Sequence, residues 1–156
     1  YLATGMDTLA RSARMSSRTL YKHGGSKAAL AVEVLAARDR RFFEQADVLQ
    51  VRALFDALAG WVAREGARGC LFLRIVGETG GMEPAIVAAV QAHKARLSEC
   101  VARIVEADLG RADDVLAARI VLLFEGAVAA SAWQGGAAIE VARGAADDLV
   151  EAARAA

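Results

Sequence analysis

The chain has 156 residues, and its 19 basic residues are balanced by 19 acidic ones. Hydrophobic residues make up 56% of it, with one proline and 14 glycines, which excludes a disordered, collagen-like or linker-dominated protein. A neutral balance over the whole chain argues against nucleic-acid binding, because such domains are visibly basic. Alanine, leucine and valine supply most of the apolar content and aromatics only 6%, so the chain reads as all-α. The longest uncharged stretch, Gly126 to Ile139, has 14 residues. A membrane span needs roughly 18 apolar residues, so no transmembrane helix is expected. No basic segment followed by an apolar run opens the chain, and Cys70 and Cys100 are too few for a disulfide framework and are not spaced as a metal or redox pair. A reducing cytoplasm is the expected location.

The first forty residues read as three helices separated by turn chemistry. Thr4 followed by Asp7 has the spacing of a capping box, and Met6, Leu9, Ala10 and Ala13 give an apolar stripe, so a two-turn helix is expected over about residues 5 to 13. Arg14 and Met15 form a turn, and Ser16 is a good N-cap for a short polar helix from Ser17 to about His23. Gly24 and Gly25 stop that helix and Ser26 caps the next, which carries Leu30, Val34, Leu35 and Phe42 as far as about Gln45. Beyond it the helices become longer and more apolar. Val51, Leu54, Phe55, Leu58 and Val62 recur at helical spacing until Gly66 and Gly69, and a short segment from Cys70 to about Glu78 follows. Pro84 suits a first helical turn, ahead of a stripe through Ile86, Val90, His93, Leu97, Val101 and Ile104 that ends at Gly110. Asp113 or Asp114 begins a helix that closes at Gly135-Gly136, and a final helix carries Ile139, Ala142, Ala146, Leu149 and Ala153. The expected division is residues 1–45 as one domain with its connecting helix and 46–156 as a helical second domain.

Charge separates the two regions. Residues 1–41 hold eight basic side chains against three acidic ones, a net of +5, which leaves eleven basic and sixteen acidic residues, a net of −5, for the remainder. A basic segment built as a two-turn helix, a tight turn and a short helix rich in hydroxyls and cations has the parts of a helix-turn-helix. In that motif the start of the second helix meets base edges in a major groove. Ser17, Arg18 and Thr19 would then face bases, Leu20 would anchor inward, and Tyr21, Lys22 and His23 would face phosphates. Lys27, at the amide-rich start of the following helix, would hold another phosphate. Thr4, at the opening of the first helix, completes the DNA-facing set.

Three runs carry a further signal: Met6-Asp7-Thr8-Leu9-Ala10, then Met15-Ser16-Ser17-Arg18-Thr19-Leu20-Tyr21-Lys22-His23, then Gly25-Ser26-Lys27-Ala28-Ala29-Leu30. In order, spacing and residue type they resemble the DNA-binding domain of the tetracycline-repressor (TetR) family over nearly all of the first 35 residues. Gly69-Cys70-Leu71-Phe72, Glu78 and Ala92-His93-Lys94 resemble a pattern of the ligand-binding, dimerising domain in one of its branches. The resemblance implies a homodimeric transcriptional repressor that binds a palindromic operator and is released when a small molecule enters the second domain. It also implies that the family's first helix precedes Tyr1. Two positions depart from the family pattern: Gly24 stands where an aromatic is usual, and Arg14 where the turn usually has glycine. These keep open an alternative, an all-α interaction or sensor protein whose N-terminal unit does not read DNA.

Within the second domain Phe55, Trp61, Phe72, Phe124 and Trp133, with Arg74, Glu78 and His93, are candidates to line an effector cavity, although each aromatic alone also suits a core. The small residues of the last two helices suit close helix packing between subunits. Leu116, Ile120, Leu123 and Ala127 with Ile139, Ala142, Ala146 and Leu149 are the expected dimer face, which would set the recognition helices roughly 34 Å apart. Gly25-Ser26-Lys27 lacks the order of a phosphate loop, and no catalytic or metal-ligand constellation stands out, so neither an enzyme nor a cofactor is expected.

Overall fold

The computed structural model describes residues 1–156, and every regular element in it is a helix. Eight follow in order: α1 (Met6–Ser12), α2 (Ser17–Gly24), α3 (Lys27–Gln45), α4 (Val51–Glu65), α5 (Leu71–Thr79), α6 (Pro84–Leu109), α7 (Asp114–Gln134) and α8 (Ala137–Ala155). The all-α expectation holds, and several helix ends fall where turn chemistry put them. Ser16 accepts the Thr19 N–H at 3.1 Å, Ser26 that of Ala29 at 3.1 Å, and Asp113 that of Leu116 at 2.9 Å. Glycines in the left-handed region follow α2, α4, α6 and α7 at Gly25, Gly66, Gly110 and Gly135. The chain forms two compact units, one of residues 1–40 with 71–92 and one of residues 41–70 with 93–156. The grouping is not a single cut in the sequence, since residues 71–92 belong with the N-terminal helices.

In the first unit, α1 and α2 share a small core of Met6, Ala10 and Leu20, with Leu9 and Leu30 against it. The start of α1 differs from the capping-box expectation. Gly5 takes the N-cap position and no side chain caps the helix, because α1 begins one residue too late for Thr4 to reach its amides. The end of α1 is closed by a Schellman pair, in which Met15 N–H donates to the Ala10 carbonyl at 3.0 Å and Arg14 N–H to that of Arg11 at 3.1 Å. The motif needs a left-handed residue, and Arg14 supplies it at a φ of 54°. A side chain with a Cβ is disfavoured there by roughly 1 kcal/mol relative to glycine. Arg14→Gly is therefore expected to raise stability by about 1 kcal/mol in urea unfolding, and no gain would show that the left-handed turn is unstrained. Gly24 has a packing reason: a Cβ there would lie 2.5 Å from Leu30 Cδ2 and 2.9 Å from its Cγ. Leu30 already fills the space beside the end of α2 that an aromatic at position 24 would need.

The second unit is built on α4, α7, α8 and the later part of α6. Leu54, Phe55, Val101, Ile120 and Ile139 are almost wholly buried in one core. Within it Phe42 meets Trp61 edge-on at 5.6 Å and Phe124 at 5.8 Å, and Phe124 meets Phe55 at 6.1 Å. Polar ties hold the helix ends. The buried Asp108 carboxylate accepts the Val51 N–H at the start of α4 at 2.8 Å and pairs with Arg154 of α8 at 2.6 Å. Arg143 of α8 reaches Asp56 of α4 at 2.6 Å. That hydrogen bond, and then the charges of Glu140, Asp56 and Asp147, push the Arg143 guanidinium above its ordinary pKa against the opposing effect of desolvation. No buried side-chain nitrogen or oxygen lacks a partner.

The residues expected to form the dimer face lie in or against this core. Leu116, Ile120, Ala127, Ile139, Ala142 and Ala146 are buried inside one chain, and Leu123 and Leu149 pack against them. Helical periodicity identifies an apolar face but not which neighbour covers it, and here α4, α7 and α8 cover each other. α7 is apolar on its other side too. It is long and apolar enough to cross a membrane by length and composition, with a mean hydropathy of 1.8 over its most apolar window. The uncharged-run criterion passed over it because Arg119 and Glu125 interrupt it.

Candidate nucleic-acid interface

The short helix α2 gathers most of the side chains expected to meet DNA. Its start is tied down twice, by the Ser16 cap on the Thr19 N–H and by a 2.8 Å hydrogen bond between the Ser16 and Thr19 hydroxyls. Leu20 is buried and braces α2 against α1, as its inward position requires. Arg18, Thr19, Tyr21, Lys22 and His23 are all exposed. Arg18 lies three and four residues before Tyr21 and Lys22, so these side chains share one face of the helix. Arg11 and Arg14 are exposed as well, on α1 and in the turn that leads to α2.

Three members of the set are placed differently. Ser17 is half-buried, and its hydroxyl donates to Asp7 Oδ1 of α1 at 2.6 Å. Lys27 is half-buried, with its ammonium 4.1 Å from the centre of the Tyr1 ring, a cation–π contact that engages the charge expected for a phosphate. Thr4 is half-buried and lines a groove of about 690 Å³ in the first unit. That groove is walled mainly by apolar side chains, among them Leu9, Leu30, Leu71 and Ile75.

The candidate effector residues are divided between the two units. Phe55, Trp61 and Phe124 interlock in the core of the second unit, while Trp133 is 72% exposed and lines no part of that core. The His93 ring packs 5.8 Å from that of Phe43. Phe72, Arg74 and Glu78 belong to the first unit, where Phe72 is buried and Arg74 and Glu78 line the groove. The Leu2 N–H donates to the Glu78 carboxylate at 3.1 Å, and Arg74 lies 4.0 Å from the same group. Of the cysteines, Cys100 is buried, and Cys70 is half-buried with Lys94 Nζ 3.6 Å from its sulfur. Lys94 in turn pairs with Glu125 at 2.5 Å. No group of three or more His, Cys, Asp or Glu side chains is gathered in a way that would hold a metal ion.

Sequence reasoning missed Asp7, which it assigned to a capping box. Its partner stands ten residues away on another helix, and no periodicity within one element signals such a pair. Comparison with known proteins finds no match: no family model, no curated protein and no solved structure matches the chain.

Proposed function

We propose that this protein is a DNA-binding transcriptional regulator of the cytoplasm, in which α1, the Arg14 turn and α2 act as a helix-turn-helix. The observation that carries the reading is α2 itself, a capped helix braced through Leu20 that exposes Arg18, Thr19, Tyr21, Lys22 and His23 together. It lies in the segment with a net charge of +5, and the −5 remainder directs DNA to that segment alone. The resemblance of residues 6–30 to the TetR family supports the same reading. Its two departures both have local accommodations, with Leu30 beside Gly24 and a Schellman closure through Arg14.

The regulator works as a homodimer on a palindromic operator. The surface that supports this is the outer side of α7 and α8, where Val115, Leu122 and Trp133 of α7 and Val141 of α8 are 62 to 74% exposed. Val115, Leu122 and Trp133 follow helical spacing, with the small residues Gly126 and Ala129 between them. A second copy covers this face, and the operator's two-fold symmetry then mirrors that of the protein. Leu122→Glu places a carboxylate in the apolar interface and is expected to weaken dimerisation by at least about tenfold with helicity retained. Sedimentation velocity reads the result, and a wild-type monomer at all concentrations would remove this part of the proposal.

A small molecule that prefers the non-binding conformation releases the DNA. A preference of about 5.5 kcal/mol takes the population from almost fully competent to almost fully incompetent. Titration of the full chain into duplex DNA from the region upstream of its own coding sequence, at several salt concentrations, tests the reading. Affinity should fall steeply as salt rises, because bound counterions are released from each neutralised phosphate. Failure to bind, or binding with no salt dependence, rejects it.

A further inference from the structure

We infer that Asp7 and Ser17 act as one acceptor-only pair at the start of α2 and select an adenine or a cytosine, the bases with an exocyclic amine, at one position of each half-site. The inference rests on the DNA-binding reading above. A serine hydroxyl has one hydrogen and two lone pairs, and an ionised carboxylate has lone pairs alone. The only hydrogen of the pair is committed, since Ser17 Oγ donates to Asp7 Oδ1 at 2.6 Å, the length of a charge-assisted O–H···O bond. The neighbouring Ser16 and Thr19 hydroxyls bond each other at 2.8 Å, and Ser16 Oγ also accepts the Thr19 N–H. What the pair can still offer a ligand is therefore acceptors.

Ser17 is the first residue of α2, and the first turn of a recognition helix is the part that reaches base edges. In the major groove adenine N6 and cytosine N4 are donors, whereas guanine O6 and N7 and thymine O4 are acceptors. An acceptor-only pair bonds to the first two and sets lone pair against lone pair with the others. The pair also accounts for an exposed carboxylate in a basic segment. Asp7 is one of only three acidic residues in residues 1–41, and near a phosphate backbone it lowers affinity for every sequence. A charge that weakens binding uniformly but discriminates between bases is a specificity device.

The test is selection from randomised duplex DNA with the full chain, followed by competition among the four bases at each selected position. Wild type is expected to require adenine or cytosine at one position of each half-site. In Asp7→Ala the Ser17 hydroxyl hydrogen is freed to donate, so guanine and thymine become accepted there and discrimination falls by about tenfold. Total affinity for unrelated DNA rises in the same variant as the repulsion is lost. A purely structural role for Asp7 would instead lower affinity at all sequences alike and leave the base preferences unchanged. Ser17→Ala, which keeps the Asp7 contribution to α1, is expected to weaken discrimination at that same position and no other. Unchanged preferences in either variant overturn the inference while leaving DNA binding intact, and a wild type that selects no sequence overturns it together with the reading it rests on.

Discussion

Replacing Arg18 and Lys22 together by alanine is expected to lower affinity for duplex DNA by roughly 100-fold near 0.1 M salt and to reduce the slope of log affinity against log salt by about 1 to 2. Both side chains are exposed on α2, so their removal disturbs no packing and the melting temperature should stay within about 2 °C of wild type. The two readouts separate the effects. On the proposed reading Arg18, in the first turn, meets a base edge, and losing such a contact costs roughly 1 to 3 kcal/mol on the preferred sequence. On the same reading Lys22, one turn later, neutralises a phosphate, so its loss is expected to weaken all sequences about equally. Salt titrations by fluorescence anisotropy check the expectation, and full affinity in the double variant would remove α2 as the DNA-reading element. Arg14→Gly offers an internal comparison: it loses one cation beside α2 while relieving a left-handed backbone, so its affinity should fall while its stability rises.

Phe124→Ala is expected to destabilise the second unit by roughly 3 to 5 kcal/mol. The ring is 4% exposed and is the point at which Phe42 of α3 and Phe55 of α4 both meet α7. Truncation removes two edge-on or tilted aromatic contacts as well as the buried area, and the surrounding helices cannot close the void without moving their own buried neighbours. A loss of this size is a large share of the stability of an ordinary domain. Urea unfolding followed by far-UV circular dichroism measures it, and a shift below about 1 kcal/mol would mean that the three rings do not interlock as described. The contrast with the α2 variant is informative, since one substitution set strikes ligand affinity without stability and the other strikes stability first.

What could be read along the chain was whatever depends on neighbours in sequence. The caps at Ser16, Ser26 and Asp113 and the stops at Gly25, Gly66, Gly110 and Gly135 are local chemistry, because a side chain reaching an amide three residues away needs no knowledge of the rest of the fold. Even there the reach was limited. Thr4 and Asp7 had the spacing of a capping box, but a one-residue shift in the start of α1 left Thr4 outside and freed Asp7 for Ser17. The aromatic residues set a similar limit. Composition shows that Phe55, Trp61, Phe124 and Trp133 are apolar, but not that three of them meet in one core while Trp133 lies exposed.

The two-sided apolar character of α7 shows where the line falls. Residue order alone established that the chain is helical, where most of its helices end, that the net basic excess lies in the N-terminal segment, and that α7 and α8 are rich in small apolar residues. Which of their faces is already used depends on how the helices pack. Leu116, Ile120 and Ala127 turn into the chain's own core, leaving Val115, Leu122 and Trp133 outside. Periodicity is a property of one helix, whereas burial is a property of the helices that happen to pack against it. The same distinction governs the start of α2, where the residue types on the helix follow from the chain order, but the direction in which the Ser17 hydroxyl hydrogen points was set by a carboxylate on another helix.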